Sequence, residues 1–375
     1  MDIENHVAKI LEEIKQDGKS AVKKYSKKFD DYEGPLKVED AKIRDAEIPE
    51  EDKIAIDRAI DRIRKHHQRQ KRTDELYQER GSMYGLVYRP IERVGIYVPG
   101  GKSLISSLIM CAIPAKIAGV EDIAIATPPN KDGLSQHFLY TAKTLGVSEI
   151  YSVGGVQAIG AMAYGVGMEK VDKIFGPGNE FVNEAKKQLF GKVGIDSLAG
   201  PSEICIIADD SADKELVISD LKAQMEHGVS SKAWLLTTSE ELKRSIDAEE
   251  NGIKISFKQD INECIDKANE IAPEHLQINT EEPLKLTDKI KNAGAIYLGE
   301  YTPAAAADYF LGVNHVLPTG KAARFDSVLN VMDFMKTISF ASIDKEEFLK
   351  DVDIGVKMAE IEDMTDHKKS LEERK

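Results

Sequence analysis

The sequence predicts an α/β protein built on parallel, doubly wound sheet. Three observations carry that expectation. From about Arg93, short β-rich runs alternate with amphipathic runs of helical period. Several of the short runs close on glycine turns: Pro99-Gly100-Gly101, Gly154-Gly155 and Gly176-Pro177-Gly178-Asn179. The length, 375 residues, exceeds the usual domain of ~100–150, so two domains or one large α/β unit are expected.

In chain order, residues 4–28 place Val7, Ile10, Leu11 and Ile14 on one helical stripe, and Gly18 ends the first half of that helix. Residues 50–79 are predicted as one long charged helix with Ile56, Ile60 and Ile63 inward. His66 and His67 fall in it, flanked by charge, and are expected as solvated residues. Strands are expected at 94–98, 122–127, 149–153, 173–176, 203–208, 234–238 and 295–298. Helices are expected at 104–118, 135–145 and 180–189. In open sheets of this kind, ligands bind at the carboxyl ends of strands. From Ile343 the chain reads as a charged helical tail with too few apolar residues for its own core. It should dock elsewhere, on a partner subunit for example, unless it is a frayed terminus.

A formal net charge of −14 disfavours sequence-independent nucleic-acid binding, which needs basic patches, and suits a cytoplasmic enzyme. Cys111, Cys205 and Cys264 are far apart in apolar or amphipathic context without CxxC spacing, so neither a disulfide framework nor a cysteine metal site is expected. The charged, helical start carries no secretory pattern. The longest apolar stretch, 103–126, is broken by Pro114, Lys116 and Glu121, so no membrane span is expected.

The chemistry concentrates late in the chain. Four of the eight histidines sit beside carboxylates or amides: Gln224-Met225-Glu226-His227, Glu274-His275, Asp308 with Asn314-His315, and Glu362 with His367. Gln224 and His227, three apart, share one face of a helix that Gly228 would end. An amide oxygen and an imidazole can ligate a borderline divalent metal, although the pair alone reads better as a helix-end arrangement. Pro273 should turn the chain so that Glu274 and His275 stand side by side as two proton acceptors, although an exposed pair is the blander reading. Asp308 follows an alanine run, and 312–319 reads as a tight loop around His315. No glycine turn matches GxGxxG, so the usual dinucleotide fingerprint is missing. The residues alone stop at a metal-dependent α/β enzyme.

The motifs then carry a resemblance. Arg89-Pro-Ile-Glu-Arg-Val-Gly-Ile-Tyr-Val-Pro-Gly-Gly101, Val153-Gly-Gly-Val-Gln-Ala-Ile159, Lys173-Ile-Phe-Gly-Pro-Gly-Asn179 and Ala199-Gly-Pro-Ser-Glu203 are followed by Gln224-Met-Glu-His-Gly228, Ala272-Pro-Glu-His-Leu276 and Asn314-His-Val-Leu-Pro-Thr319. In this order they resemble the histidinol dehydrogenases, over about residues 10–367. The resemblance implies a zinc enzyme that oxidises L-histidinol through L-histidinal to L-histidine with two NAD, in the last two steps of histidine biosynthesis. It implies zinc ligands at Gln224, His227, Asp308 and His367, the last from the partner subunit of a homodimer with shared active sites. It makes His275 the general base and Glu274 the residue that activates water. Ser202, His315 and Glu362 would contact substrate, together with His275 and the zinc ligands, and Tyr97, Gln157 and Asn179 would contact NAD. The implied fold is two Rossmann-like domains, parallel sheets flanked by helices, with small helical N- and C-terminal extensions. Residues 1–96 and 204–330 would form one domain, 97–203 the NAD-binding domain, and 331–375 the extension toward the partner.

The chain departs from the family pattern in places. It enters at the first helix, without the extra N-terminal element of longer members, and the stretch from 239 to 271 is short by about one helix–strand unit. Val229 stands where a proline is common, and Val328 where glycine is usual. None of these removes an implied ligand. Two other readings compete: a zinc/NAD dehydrogenase of another amino alcohol, and a non-catalytic metal-binding homologue. The latter would have no use for the Glu274-His275 pair.

Overall fold

The computed structural model describes residues 2–100, 104–130, 133–226, 228, 230–246 and 252–375. His227, and with it one expected ligand, lies outside the described residues. The strands in chain order are β1 (Glu75–Glu79), β2 (Ser82–Pro90), β3 (Arg93–Tyr97), β4 (Asp122–Thr127), β5 (Glu149–Ser152), β6 (Lys173–Phe175), β7 (Gly194–Ile195), β8 (Glu203–Ala208), β9 (Lys232–Thr237), β10 (Ile253–Phe257), β11 (His275–Asn279), β12 (Ala295–Leu298) and β13 (Met335–Ile343). The chain divides into two compact units, one of residues 1–70 with 91–334, the other of residues 71–90 with 335–375.

The larger unit holds two five-stranded sheets, ordered β5-β4-β3-β6-β7 and β10-β9-β8-β11-β12. Every pairing in both is parallel. Strands β3, β8 and β11 are buried along their whole length, as sheet covered on both faces requires. In each sheet the chain winds outward one way and then the other, so the direction of winding switches between β3 and β6 and between β8 and β11.

The helices Ile3–Asp17 and Lys19–Asp30 bury Val7, Ile10, Leu11 and Ile14 in one core with Ala126, Val156, Ile159 and Val182. A fully buried aliphatic side chain of this kind contributes about 1.5–3 kcal/mol. These helices therefore belong with the sheet of residues 93–195, whereas the sequence reading grouped them with residues 204–330. The boundary expected after residue 96 falls inside β3. The second sheet packs the helix Lys214–Met225 through Val217 and Leu221, and the same core takes Ala304 and Ala307 of the short helix Ala304–Tyr309.

The predicted long helix is shorter than expected. It ends at His67 and gives way to the β1–β2 hairpin. His67 is not solvated: it is fully buried, with Nδ1 2.6 Å from Gln70 Oε1 and Nε2 3.2 Å from Asn314 Nδ2. Asn314 also donates to the Met110 carbonyl at 2.8 Å and accepts from Val316 N at 2.9 Å, which fixes the loop that carries His315. Burial pushes the His67 imidazole down to about 4, so it stays neutral and can accept from the Asn314 amide.

In the smaller unit, β2 lies between β1 and β13, antiparallel to both, with Ser82 opposite Ile343 and Pro90 opposite Met335. Of the extension expected at 331–375, Val331–Phe334 form a short 3-10 turn of the larger unit; the part in the smaller unit begins as strand β13 and becomes α-helical only at Lys345–Ile361 and Thr365–Glu372. Among the described residues no helix is long and apolar enough to cross a membrane.

Candidate active site

Glu274 and His275 stand at the amino end of β11, not at the carboxyl end where the general rule for open sheets places ligands. Pro273 follows Ala272, which closes the preceding helix in a left-handed conformation at φ 51°. Glu274 is 8% exposed. Its Oε2 accepts from Ser202 Oγ at 2.7 Å and from the Glu203 amide at 2.8 Å. Burial pushes its carboxyl up to about 7, against the pull of those two hydrogen bonds. A carboxyl held near neutrality can give or take a proton at working pH.

The neighbouring His275 is also buried, with Nδ1 3.0 Å from Tyr297 Oη and Nε2 3.7 Å from Glu274 Oε1. Burial holds the Tyr297 phenol well above its usual range, so it remains neutral. An imidazole that acts as base through Nε2 keeps its proton on Nδ1 and donates it to Tyr297 Oη. The sequence reading missed Tyr297. It lies mid-strand in β12, and nothing in its local sequence marks it as a partner of a residue twenty-two positions earlier.

Ser202, Glu274, His275, Asp308 and His315 line one cavity of about 380 Å³. Its opposite wall is the turn Gly176-Pro177-Gly178 at the carboxyl end of β6, at the switch point of the first sheet. Only glycine fits at 176: φ is +110°, and a Cβ there would lie 2.0 Å from the Tyr97 carbonyl oxygen. The fully buried Lys186 donates to the Gly176 carbonyl at 3.0 Å and pairs with Asp196, which accepts from Gly176 N at 2.7 Å. The cavity thus lies between the carboxyl edge of one sheet and the amino edge of the other.

The helix after β8 runs back toward that amino edge, so its last turn carries Gln224 there. Gln224 is buried, and its amide nitrogen has no hydrogen-bond partner among the described residues. The short helix bearing Asp308 packs on the same helix. Asp308 Oδ1 is 3.2 Å from His315 Nδ1, within ion-pair distance but outside hydrogen-bond alignment. Amide, carboxylate and imidazole donors are of the type a borderline divalent ion takes, so Gln224 and Asp308 fit such a group. Among the described residues no cluster of three or more His, Cys, Asp or Glu side chains forms a complete metal set. His367 and Glu362 are exposed and belong to the smaller unit.

A second cavity, of about 590 Å³, brings together Tyr97, Gln157 and Asn179. The Tyr97 hydroxyl accepts from Gly155 N at 3.2 Å, and burial pushes it up to about 12. Asn179 Oδ1 caps the helix Glu180–Leu189 by accepting from Phe181 N and Val182 N, both at 3.1 Å. Gln157 is fully buried, and its side-chain oxygen has no partner among the described residues. An orphaned acceptor beside a phenol and an amide fits a polar cofactor with hydroxyl and amide groups. His6, set edge-on to Phe29 and Phe181, lines the same cavity, an association the sequence reading did not draw.

The sequence profile of the family described as histidinol dehydrogenase matches residues 1–375. The chain belongs to the histidinol dehydrogenase family. The histidinol dehydrogenase of Thermococcus kodakarensis is 59% identical over 375 residues, covering 100% of this chain and 99% of that protein. That of Methanocaldococcus jannaschii is 43% identical over 396 aligned positions, covering 98% of this chain and 91% of that protein. The crystal structure of histidinol dehydrogenase from Elizabethkingia anophelis superposes with a TM-score of 0.94 at 36% identity, over 100% of this chain and 92% of that one. A probable aldehyde dehydrogenase from Listeria monocytogenes shares the fold alone, with a TM-score of 0.51 at 13% identity, over 91% of this chain and 92% of that one. Histidinol dehydrogenase membership makes this an oxidoreductase of the last two steps of histidine biosynthesis.

Proposed function

We propose that the chain oxidises L-histidinol through L-histidinal to L-histidine as a zinc-dependent, NAD-linked, four-electron dehydrogenase. The observation that carries this reading is the buried Glu274-His275 pair facing one cavity with Ser202, Asp308 and His315. Gln224, His227, Asp308 and the partner's His367 would hold the zinc, which would supply a template for orienting the amine and imidazole of the substrate. NAD at Tyr97, Gln157 and Asn179 supplies the hydride acceptor for both oxidations.

The protein's own groups manage the protons. His275 Nε2 takes the hydroxyl proton as the carbinol carbon is oxidised. Glu274 Oε2 is already occupied by Ser202 and the Glu203 amide, which leaves Oε1 to accept a proton from the water that hydrates the aldehyde. His275 returns its first proton to the carbonyl oxygen as the water adds, and so is free to take a hydroxyl proton of the hydrate in the second oxidation. Ser202, His315 and Glu362 hold the substrate, and enclosure of the aldehyde between the two steps protects it from side reactions.

The test is the ratio of NADH formed to L-histidinol consumed, with and without a chelator. Two equivalents are expected, with activity lost on chelation, regained with zinc, and about one zinc per chain by elemental analysis. Full activity in metal-free protein would remove the zinc from this reading.

The same reading makes the enzyme a homodimer in which the partner's tail completes each site. Ile354, Met358 and Ile361, at i, i+4 and i+7 of the helix Lys345–Ile361, are 62%, 50% and 66% exposed, an apolar stripe that a subunit contact would cover. Mixing inactive His275→Asn chains with inactive His367→Asn chains should restore part of the activity. No recovery despite proven subunit exchange would place His367 in its own chain's site. The buried free cysteines and an NAD-linked biosynthetic reaction fit the cytoplasm, which cell fractionation checks.

A further inference from the structure

Asp30 is the last residue of the helix Lys19–Asp30, and its carboxylate reaches the start of another helix, Gly155–Tyr164. There Oδ2 accepts from Gln157 Nε2 at 3.0 Å, and the Gly154 backbone amide hydrogen-bonds the same carboxylate. The next amide, Gly155 N, goes to the Tyr97 hydroxyl. In parallel α/β sheets, the first helix turn after a strand is the usual seat of a dinucleotide pyrophosphate. Here a protein carboxylate and a phenol already occupy those amides. Asp30 lines the Tyr97–Gln157–Asn179 cavity and forms no salt bridge among the described residues. Burial raises its carboxyl, with the Gly154 and Gln157 bonds pulling the other way.

A carboxylate without a cation, set in a cofactor cavity beside the aromatic wall of His6, Phe29 and Phe181, calls for a hydroxyl donor and rejects an anion. Ribose offers such donors. A 2′-phosphate offers about −1.5 to −2 charges instead.

We propose that Asp30 sets the choice of dinucleotide: it accepts the hydroxyls of an unphosphorylated ribose and repels the 2′-phosphate of NADP. This rests on the reading that the Tyr97–Gln157–Asn179 cavity takes the cofactor. A residue that merely capped the helix would leave the relative binding of the two dinucleotides unchanged. A charge set against a phosphate alters that ratio, because specificity is a difference between two affinities.

The experiment is equilibrium titration of NADH and NADPH, followed by nucleotide fluorescence at one ionic strength, on the zinc-loaded enzyme. Wild type, Asp30→Asn, Asp30→Ser, Asp30→Glu and Phe181→Ala are compared. Asp30→Asn should narrow the NADH-over-NADPH preference at least about tenfold, mainly by tighter NADPH binding. Asp30→Ser, which can still cap the helix, should do the same if the amide variant folds poorly. Asp30→Glu should keep the preference. An unchanged ratio in the neutral variants, with NADH binding weakened in Phe181→Ala, would overturn the role of Asp30 and leave the cavity reading standing. Binding of both NADH and NADPH left untouched by all of these variants would overturn both.

Discussion

Glu274→Gln is expected to release the first equivalent of NADH from L-histidinol at close to the wild-type rate and to delay the second by about 10²–10⁴-fold, the usual contribution of a general base. The amide keeps the shape and can still accept from Ser202 and the Glu203 amide, which now serve Oε2. It cannot take a proton from water. A single-turnover NADH trace separates the two equivalents. Equal slowing of both would mean that Glu274 orients His275 or the substrate and does not activate water. In the wild type, the second equivalent should quicken as pH rises through the range around the carboxyl's position, to which burial has pushed it, about 7 in the absence of metal. A bound zinc cation would draw that point downward. Stability should move the opposite way in metal-free protein. The carboxyl titrates near 4.5 in the unfolded chain and at about 7 in the fold, so the folded protein holds an extra proton between those values. Its stability therefore falls as pH rises from 4.5 to about 7, by an upper bound of roughly 3 kcal/mol. Metal-free Glu274→Gln should accordingly melt above wild type at pH ~8 and lose that advantage near pH ~4.

His275→Asn should slow both equivalents together, by about 10²–10⁴-fold, because each oxidation removes a proton from oxygen. The geometry gives this prediction a graded partner. Tyr297 holds His275 Nδ1 at 3.0 Å and stays neutral. Tyr297→Phe removes one buried hydrogen bond of ~1 kcal/mol, so both equivalents should slow by only around tenfold or less. A His275→Asn enzyme that spared either equivalent would assign the two proton transfers to different bases. A Tyr297→Phe loss as large as that of His275→Asn would mean that Tyr297 itself moves the proton.

Much of the fold was legible because its strands are buried and carry their own pattern. The runs at 122–127, 203–208 and 295–298 and the helix at 180–189 form where local sequence put them. β11 was not legible, because its Gln277 and Asn279 look like loop residues. Both are buried, and Gln277 pays for its place by donating to Asp220 at 2.6 Å. β1 was absorbed into a helix because Glu-Leu-Tyr-Gln-Glu is charged and every position of it is exposed. β13 does alternate in places, but its partner β2 lies at the far end of the sequence, where no local reading reaches. In the site, the Glu274-His275 pair announced itself by adjacency. Tyr297, His67 and Asp30 did not, because each acts across a packing contact formed only after folding.

The smaller unit has a consequence for how the chain is made. β2 leaves the ribosome with one edge paired to β1, while the strand that covers its other edge, β13, is encoded only after residues 91–334. At roughly 5–20 residues per second, that edge waits on the order of tens of seconds during synthesis. An open edge is a template for pairing with another chain. Pro90 at the end of β2, which has no backbone N–H to offer a pairing strand, thus acts on a nascent polypeptide as well as on the finished one. It guards one end of a seam that closes last.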